Sequence, residues 1–272
     1  HLEPAHIDAK LPDITEFART YLGVEPYTEP VPVFPTAHYV MGGIPTNIKA
    51  EVLQDNDTVI PGLYAAGEVA CVSVHGSNRL GTNSLLDINV FGKRAGIYAA
   101  EYALQADFVD LPEDPEADTI ALLDVVRNSE GTERVSEIRR DLQNTMDANM
   151  QVFRTAETLN QVLTDIASLE ERYKKINVQD KGKRFNLDLL EAVELGFLLE
   201  LAKVMSVAAL HREESRGGHF REDFPERDDE KFMLHSMAYK VDEADNAEHT
   251  AGIRLDTKPV IFTRYEPMVR KY

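Results

Sequence analysis

The stretch from Leu187 to Leu210 limits the fold more than any other part of the chain. Apolar side chains dominate it, yet Asp188, Glu191, Glu194, Glu200 and Lys203 recur within it. A membrane span needs about 20 predominantly apolar residues with few or no charges, so this run does not qualify. It is also too apolar for a surface helix, which carries a single apolar stripe. It reads as a helix buried in the middle of other helices, with Asn186 as its N-cap.

Partners for that helix are legible just before it. Thr155 is placed to cap a helix whose Leu159, Val162, Leu163, Ile166, Leu169, Tyr173 and Ile176 recur mostly at three- and four-residue spacing on one face. Gly131-Thr132 opens an earlier helix carrying Val135, Ile138, Leu142, Met146 and Met150. Three such helices with short links predict a bundle.

The remainder divides by composition. Residues 1–28 hold a short acidic helix, about Asp13 to Leu22, before a linker broken by Pro26, Pro30, Pro32 and Pro35. Residues 29–106 hold most of the motif-like, glycine-rich sequence, 107–212 are helical, and 213–272 are polar before a strand-like Lys258–Thr263. The opening HLEPAHIDAKLPDITEF, with no Met and no targeting pattern, reads as the interior of a longer protein. Lys plus Arg total 29 against 47 Asp plus Glu, a net charge of −18 over 272 residues. Such a surface repels phosphate backbones, so nucleic acid is not an expected partner. One cysteine, Cys71, excludes an internal disulfide and any multi-cysteine zinc site. The scattered histidines show no metal-ligand spacing, and Cys71 itself reads as a small packed thiol.

The chemistry concentrates in residues 29–106. Leu63-Tyr64-Ala65-Ala66 reads as a buried strand that ends in Gly67-Glu68, where glycine lets the backbone close in and the acid can accept from a sugar or ribityl hydroxyl. Ser73–Ser84 packs hydrogen-bonding side chains and two glycines into a loop, then feeds a helix from about Ser84 to Leu104. The helix carries small residues suited to packing on a sheet, and its N-terminus offers unpaired N–H groups to an anion. Arg79 adds a planar charged fork that can hold a carboxylate, or alternatively pair with an internal Asp or Glu. His38 lies between the proline linker and Gly42-Gly43, where it serves either a site or the local structure.

Taken in order, several motifs resemble the flavoprotein subunit of the succinate dehydrogenase/fumarate reductase family. They are Pro35-Thr36-Ala37-His38-Tyr39 with Met41-Gly42-Gly43, Gly62-Leu63-Tyr64-Ala65-Ala66-Gly67-Glu68, Val72-Ser73-Val74-His75-Gly76-Ser77-Asn78-Arg79-Leu80-Gly81, and Asn83-Ser84-Leu85-Leu86-Asp87. Glu214-Ser215-Arg216-Gly217-Gly218-His219 with Arg221-Glu222-Asp223-Phe224-Pro225 is similar to that subunit's C-terminal signature, and Arg264-Tyr265-Glu266-Pro267 looks actinobacterial.

The resemblance implies an α+β multi-domain fragment. Residues 1–28 would end a capping domain, 29–106 would be the remainder of a Rossmann-like FAD-binding domain, 107–212 a three-helix bundle, and 213–272 a small C-terminal α+β domain. It implies FAD as cofactor and oxidation of succinate to fumarate, with His38 and Arg79 binding the dicarboxylate. Glu68 would contact FAD, and the backbone at Ser84 and Leu85 would face the flavin ring. Electrons would leave through an iron–sulfur subunit, on the cytoplasmic side of a bacterial inner membrane reached only through other subunits. His75 and His219 match motif positions that are either loop-shaping or near the flavin. The Gly-x-Gly-x-x-Gly loop, the FAD-linked histidine and the proton-shuttle arginine of the family have no counterpart here, so the chain alone is expected to be inactive. Fumarate reductase and L-aspartate oxidase share parts of the motif set, and a non-catalytic scaffold is the reading outside enzymes.

Overall fold

A computed structural model describes residues 2–34, 36–241 and 249–268. Pro35 of the first motif and part of the expected C-terminal domain lie outside the described residues. The chain divides into two compact units, residues 1–37 and 38–272.

In the first unit, two short helices each begin with proline, α1 (Pro4–Lys10) and α2 (Pro12–Phe17). Proline suits that position because its missing N–H would have no helical acceptor. A π-helical turn over Ala18–Leu22 extends α2 and ends at Gly23, whose φ of 66° closes the turn. The expected helix from Asp13 is therefore present, with α1 added before it. Arg19 follows with a two-pronged ion pair to Glu25.

The second unit starts with short strands. β1 (Ile44–Pro45) pairs parallel with β4 (Ala70–Cys71), and β2 (Glu51–Leu53) pairs antiparallel with β3 (Val59–Tyr64). The expected buried strand Leu63–Ala66 is displaced: β3 ends at Tyr64, and its residues are half-buried or exposed. Pro61 and Gly62 lie inside this strand, where the sequence suggested a turn. Helix α3 (Asn83–Ala103) follows within one residue of its expected bounds. Its small residues do not bury it, however, and Asp87 is its only buried residue.

The core lies among four helices, α4 (Ala117–Arg127), α5 (Val135–Asn149), α6 (Ala156–Tyr173) and α7 (Leu187–His211). The expected three-helix bundle thus gains α4, which contributes Val126 to the common core. The caps fall where the side chains dictate. Thr155 and Thr158 form a reciprocal capping box on α6, and Asn186 Oδ1 accepts from Leu189 N–H at 2.7 Å on α7. Leu159, Val162, Ile166 and Leu195 are fully buried, each contributing about 1.5–3 kcal/mol of burial. Tyr173 Oη donates to Ala192 O at 2.9 Å and ties α6 to α7. Among the described residues, no helix is long and apolar enough to cross a membrane.

After α7, β6 (Phe220–Arg221) returns to pair parallel with β5 (Phe153–Arg154). A short helix α8 (Asp229–Phe232) leads into the hairpin of β7 (Leu234–Lys240) and β8 (Ile253–Pro259). The strand expected at Lys258–Thr263 is therefore mostly earlier in the chain. Its pairing runs from Leu234 opposite Pro259 to Lys240 opposite Ile253.

Candidate active site

The loop from Ser73 to Thr82 is held from several sides. Its entry is set by β4, and its exit is the start of α3. Ser73 (φ 71°) and Thr82 (φ 66°) both take left-handed backbone, which a non-glycine residue adopts only under outside constraint. Ser73 Oγ lies 2.9 Å from His235 Nε2 on β7. Gly218 N–H donates to Ser77 O at 2.9 Å, and a Cβ on neighbouring Gly217 would stand 2.6 Å from that carbonyl oxygen. The Arg216–His219 turn thus rests directly on the loop, two residues from Arg79.

Arg79 is half-buried. In this strongly acidic chain it forms no ion pair among the described residues. Its guanidinium carbon sits 4.8 Å over the Tyr39 ring, its Nε is buried without a partner, and Nη1 makes a long 3.5 Å contact to Leu80 O. An internal carboxylate, the other role open to this arginine, is not what it meets here. His38 is exposed and immediately precedes Tyr39. The two sequence-selected side chains are therefore connected through Tyr39.

Tyr39 also meets His75, edge to face, with ring centroids 5.4 Å apart. His75 Nε2 lies 3.0 Å from Asp87 Oδ2 and 3.4 Å from Tyr39 Oη. An ionised carboxylate can only accept, so His75 Nε2–H donates to Asp87. Asp87 is buried on the second turn of α3. Burial, with Asp87 and Glu68 nearby, pushes the Tyr39 hydroxyl up, so it stays protonated at neutral pH.

Gly67 takes φ 84° and turns β3's outgoing chain toward Glu68. Glu68 is exposed, and one oxygen accepts from Val40 N–H at 3.2 Å. At α3, Leu85 N–H donates to Thr82 O at 3.0 Å, whereas among the described residues no acceptor meets Ser84 N–H. Of the two backbone groups selected from sequence, Ser84 offers the free donor. Burial pushes the Cys71 thiol up, the opposite of a reactive nucleophile.

His219 is fixed in one tautomer. Arg154 can only donate, so it gives a hydrogen bond to Nδ1 at 3.0 Å; Arg212 O can only accept, so Nε2 carries the proton at 3.0 Å. Burial, reinforced by Arg154, Arg212 and Arg221, lowers its pKa from 6.5 to about 4. Above pH 6.5 the folded and unfolded chains are both neutral at this group. Between 6.5 and 4 only the unfolded chain takes up the proton, so stability falls with acidification, by about 3 kcal/mol at most. Urea midpoints from pH 7 to 4.5 are expected to drop more steeply for the native protein than for His219→Gln.

Residues 1–85 match the family described as FAD binding domain, and residues 139–272 match Fumarate reductase flavoprotein C-term. The chain belongs to the succinate dehydrogenase/fumarate reductase flavoprotein family. It is 42% identical to the succinate dehydrogenase flavoprotein subunit of Rickettsia bellii, over 99% of this chain and 45% of that protein. It is 40% identical to the fumarate reductase flavoprotein subunit of Mycobacterium tuberculosis, over 100% of this chain and 46% of that protein. Among solved structures, Escherichia coli quinol fumarate reductase superposes with a TM-score of 0.86 at 37% identity, covering 98% of this chain and 44% of that one. Mycobacterium smegmatis Sdh1 does so at 0.81 and 30%, covering 97% and 42%. The chain spans less than half the length of these relatives.

FAD is the cofactor these matches indicate, and the residues present fit one part of it. The unpartnered Ser84 N–H at the start of a 21-residue helix suits a flavin carbonyl, and the exposed Glu68 suits a ribityl hydroxyl. Sequence reasoning passed over Tyr39 and Asp87, both of which stand inside the quoted motifs. The available signal was a single acid in the otherwise uncharged stretch Asn83 to Gly92, preceded by a histidine in the adjoining loop.

Proposed function

We propose that this chain is the C-terminal part of a flavoprotein that oxidises succinate to fumarate. The observation that carries this reading is Arg79: a cationic fork that meets no carboxylate among the described residues, lying over the ring of the residue next to His38, in a chain of net charge −18. A dicarboxylate is the natural complement of two such donors. Arg79 holds one carboxylate through its N–H edge, and His38 hydrogen-bonds the other. Bound FAD supplies the two-electron chemistry. Ser84 N–H orients the flavin ring, and Glu68 fixes the ribityl chain. Electrons pass on to an iron–sulfur subunit, and the protein lies peripherally at the cytoplasmic face of a bacterial inner membrane. In the same reading, residues 1–28, 29–106, 107–212 and 213–272 end a capping domain, continue the FAD domain, form the helical domain and form the C-terminal domain. Fumarate reduction is the same site run in reverse, and relatives of both names support keeping it as the second reading.

The 272-residue chain on its own is proposed to be inactive. It spans under half of its relatives, and α3 leaves Leu85, Leu86 and Ile88 exposed beside the proposed flavin site. The test compares the whole flavoprotein with this chain alone. The whole protein is expected to keep a flavin absorbance band after dialysis and to reduce an artificial acceptor with succinate. The 272-residue chain is expected to do neither. A yellow, succinate-oxidising fragment would overturn its inactivity, and a whole flavoprotein inert to succinate and fumarate would overturn the function.

A further inference from the structure

We infer that Tyr39 is a shared positioning residue for the two dicarboxylate-binding side chains, held in place by the buried His75–Asp87 pair. The inference rests on the site reading given above. It goes further by naming what fixes His38 and Arg79 relative to each other.

Arginine carries several rotatable bonds, and a half-buried one samples many orientations unless a neighbouring group restrains it. The Tyr39 ring is that restraint, with the guanidinium carbon 4.8 Å from its centroid. A cation–π contact uses none of the guanidinium's hydrogen-bonding capacity on a carboxylate, which keeps N–H groups for the substrate. Tyr39 is also bonded directly to His38 through the main chain, so the ring's placement sets where the histidine's backbone begins.

The ring itself is held. His75 meets it nearly perpendicularly, at 83° and 5.4 Å. His75 in turn donates to Asp87, whose side chain is only 4% exposed, at 3.0 Å. Asp87 is four residues into α3, one turn from Ser84. A continuous run of contacts therefore joins the start of α3 to Arg79 and His38. Neither His75 nor Asp87 needs to touch substrate for this to work.

The test uses the whole flavoprotein. Succinate KM and kcat, flavin content and melting temperature are measured for Tyr39→Phe, Tyr39→Leu, Asp87→Asn and Arg79→Ala. Tyr39→Phe keeps the ring, and its KM is expected to stay within about 1.5-fold of native. Tyr39→Leu removes the ring and is expected to raise KM by about tenfold or more at unchanged flavin content. Asp87→Asn loosens the hold on His75 and is expected to raise KM by about threefold, which keeps the inference testable if Tyr39→Leu does not fold. A native KM in Tyr39→Leu and Asp87→Asn, with only melting temperature or flavin content lowered, overturns the positioning role. Arg79→Ala separates the two levels. If it leaves KM and kcat native, the site reading itself fails. If it impairs turnover while the Tyr39 and Asp87 variants stay native, only the positioning role fails.

Discussion

Arg79→Ala in the whole flavoprotein is expected to lower kcat/KM for succinate by about a thousandfold at equal flavin content. Removing one partner of a desolvated, hydrogen-bonded charge pair costs about 2–5 kcal/mol, and a thousandfold is about 4. The effect should be large because Arg79 has no ion-pair partner of its own among the described residues, so its charge is uncommitted. Its stability role should be correspondingly small, with only the ring contact and a 3.5 Å approach to Leu80 O to lose. Arg79→Lys keeps the charge but not the planar fork, and is expected to recover only part of the loss. Steady-state kinetics with flavin content as the enzyme concentration checks this. Native kinetics in Arg79→Ala would remove the proposed substrate clamp.

The second large effect concerns stability. Arg221 is 1% exposed, and each of its three guanidinium nitrogens has a partner. Its Nε and Nη2 hold both oxygens of Asp223 at 2.7 and 2.8 Å. Its Nη1 donates to the carbonyls of Ala209, Leu210 and Arg212 at 3.1, 3.0 and 3.3 Å. Those carbonyls lie at the C-terminal end of α7, where no further helical N–H is available to them. Arg221 thus closes the central helix and holds β6 against it. The same ion pair lowers the Asp223 pKa to about 2, and Asp223 also accepts from Ala156 N–H at the start of α6. Arg221→Ala would leave the buried carbonyls without their donor and Asp223 with its bond to Ala156 N–H alone. Each buried carbonyl left without a donor costs about 1–3 kcal/mol, which puts the total at about 3–5 kcal/mol. For a chain of this size that is a fall in melting temperature of about 10 °C. Lysine has one donor group in place of the fork, so Arg221→Lys is expected to restore little. Calorimetry checks both variants, and an unchanged melting temperature in Arg221→Ala would contradict this account of how α7 ends.

The parts of the fold legible in the sequence are those decided locally. Thr155 and Asn186 cap their helices through side chains that reach only three residues along the chain. The stripe on α6 buries Leu159, Val162, Ile166 and Leu169, while Leu163 is only half-buried and Ile176 is buried just beyond the helix, which ends at Tyr173. What was hidden depends on partners far away. Helix α4 has Ile120, Leu122 and Val125 exposed and only Val126 buried, so no stripe marks it. The last strand, β8, begins five residues before the expected Lys258 because its register is set by β7. On α3, glycines and alanines suggested close packing on a sheet, yet within this chain the helix meets chiefly β3, through Tyr64 Oη to Tyr98 O and Tyr102 beside Gly62.

The site divides in the same way. His38, Glu68, Arg79 and Ser84 carry chemistry that residue type and motif order expose. Tyr39 and Asp87 carry none that a linear reading singles out, because their roles arise from contacts across 36 and 12 residues with His75. His75 itself had two open roles, and its bond to Asp87 and edge contact to Tyr39 favour the shaping of the loop.

The central claim is that His38 and Arg79 form a dicarboxylate site facing a flavin. The most direct measurement follows the flavin absorbance of the whole flavoprotein in the absence of any other acceptor. Succinate is expected to bleach the band, fumarate to restore it, and L-aspartate to leave it unchanged. Bleaching by L-aspartate with no response to succinate would contradict the account.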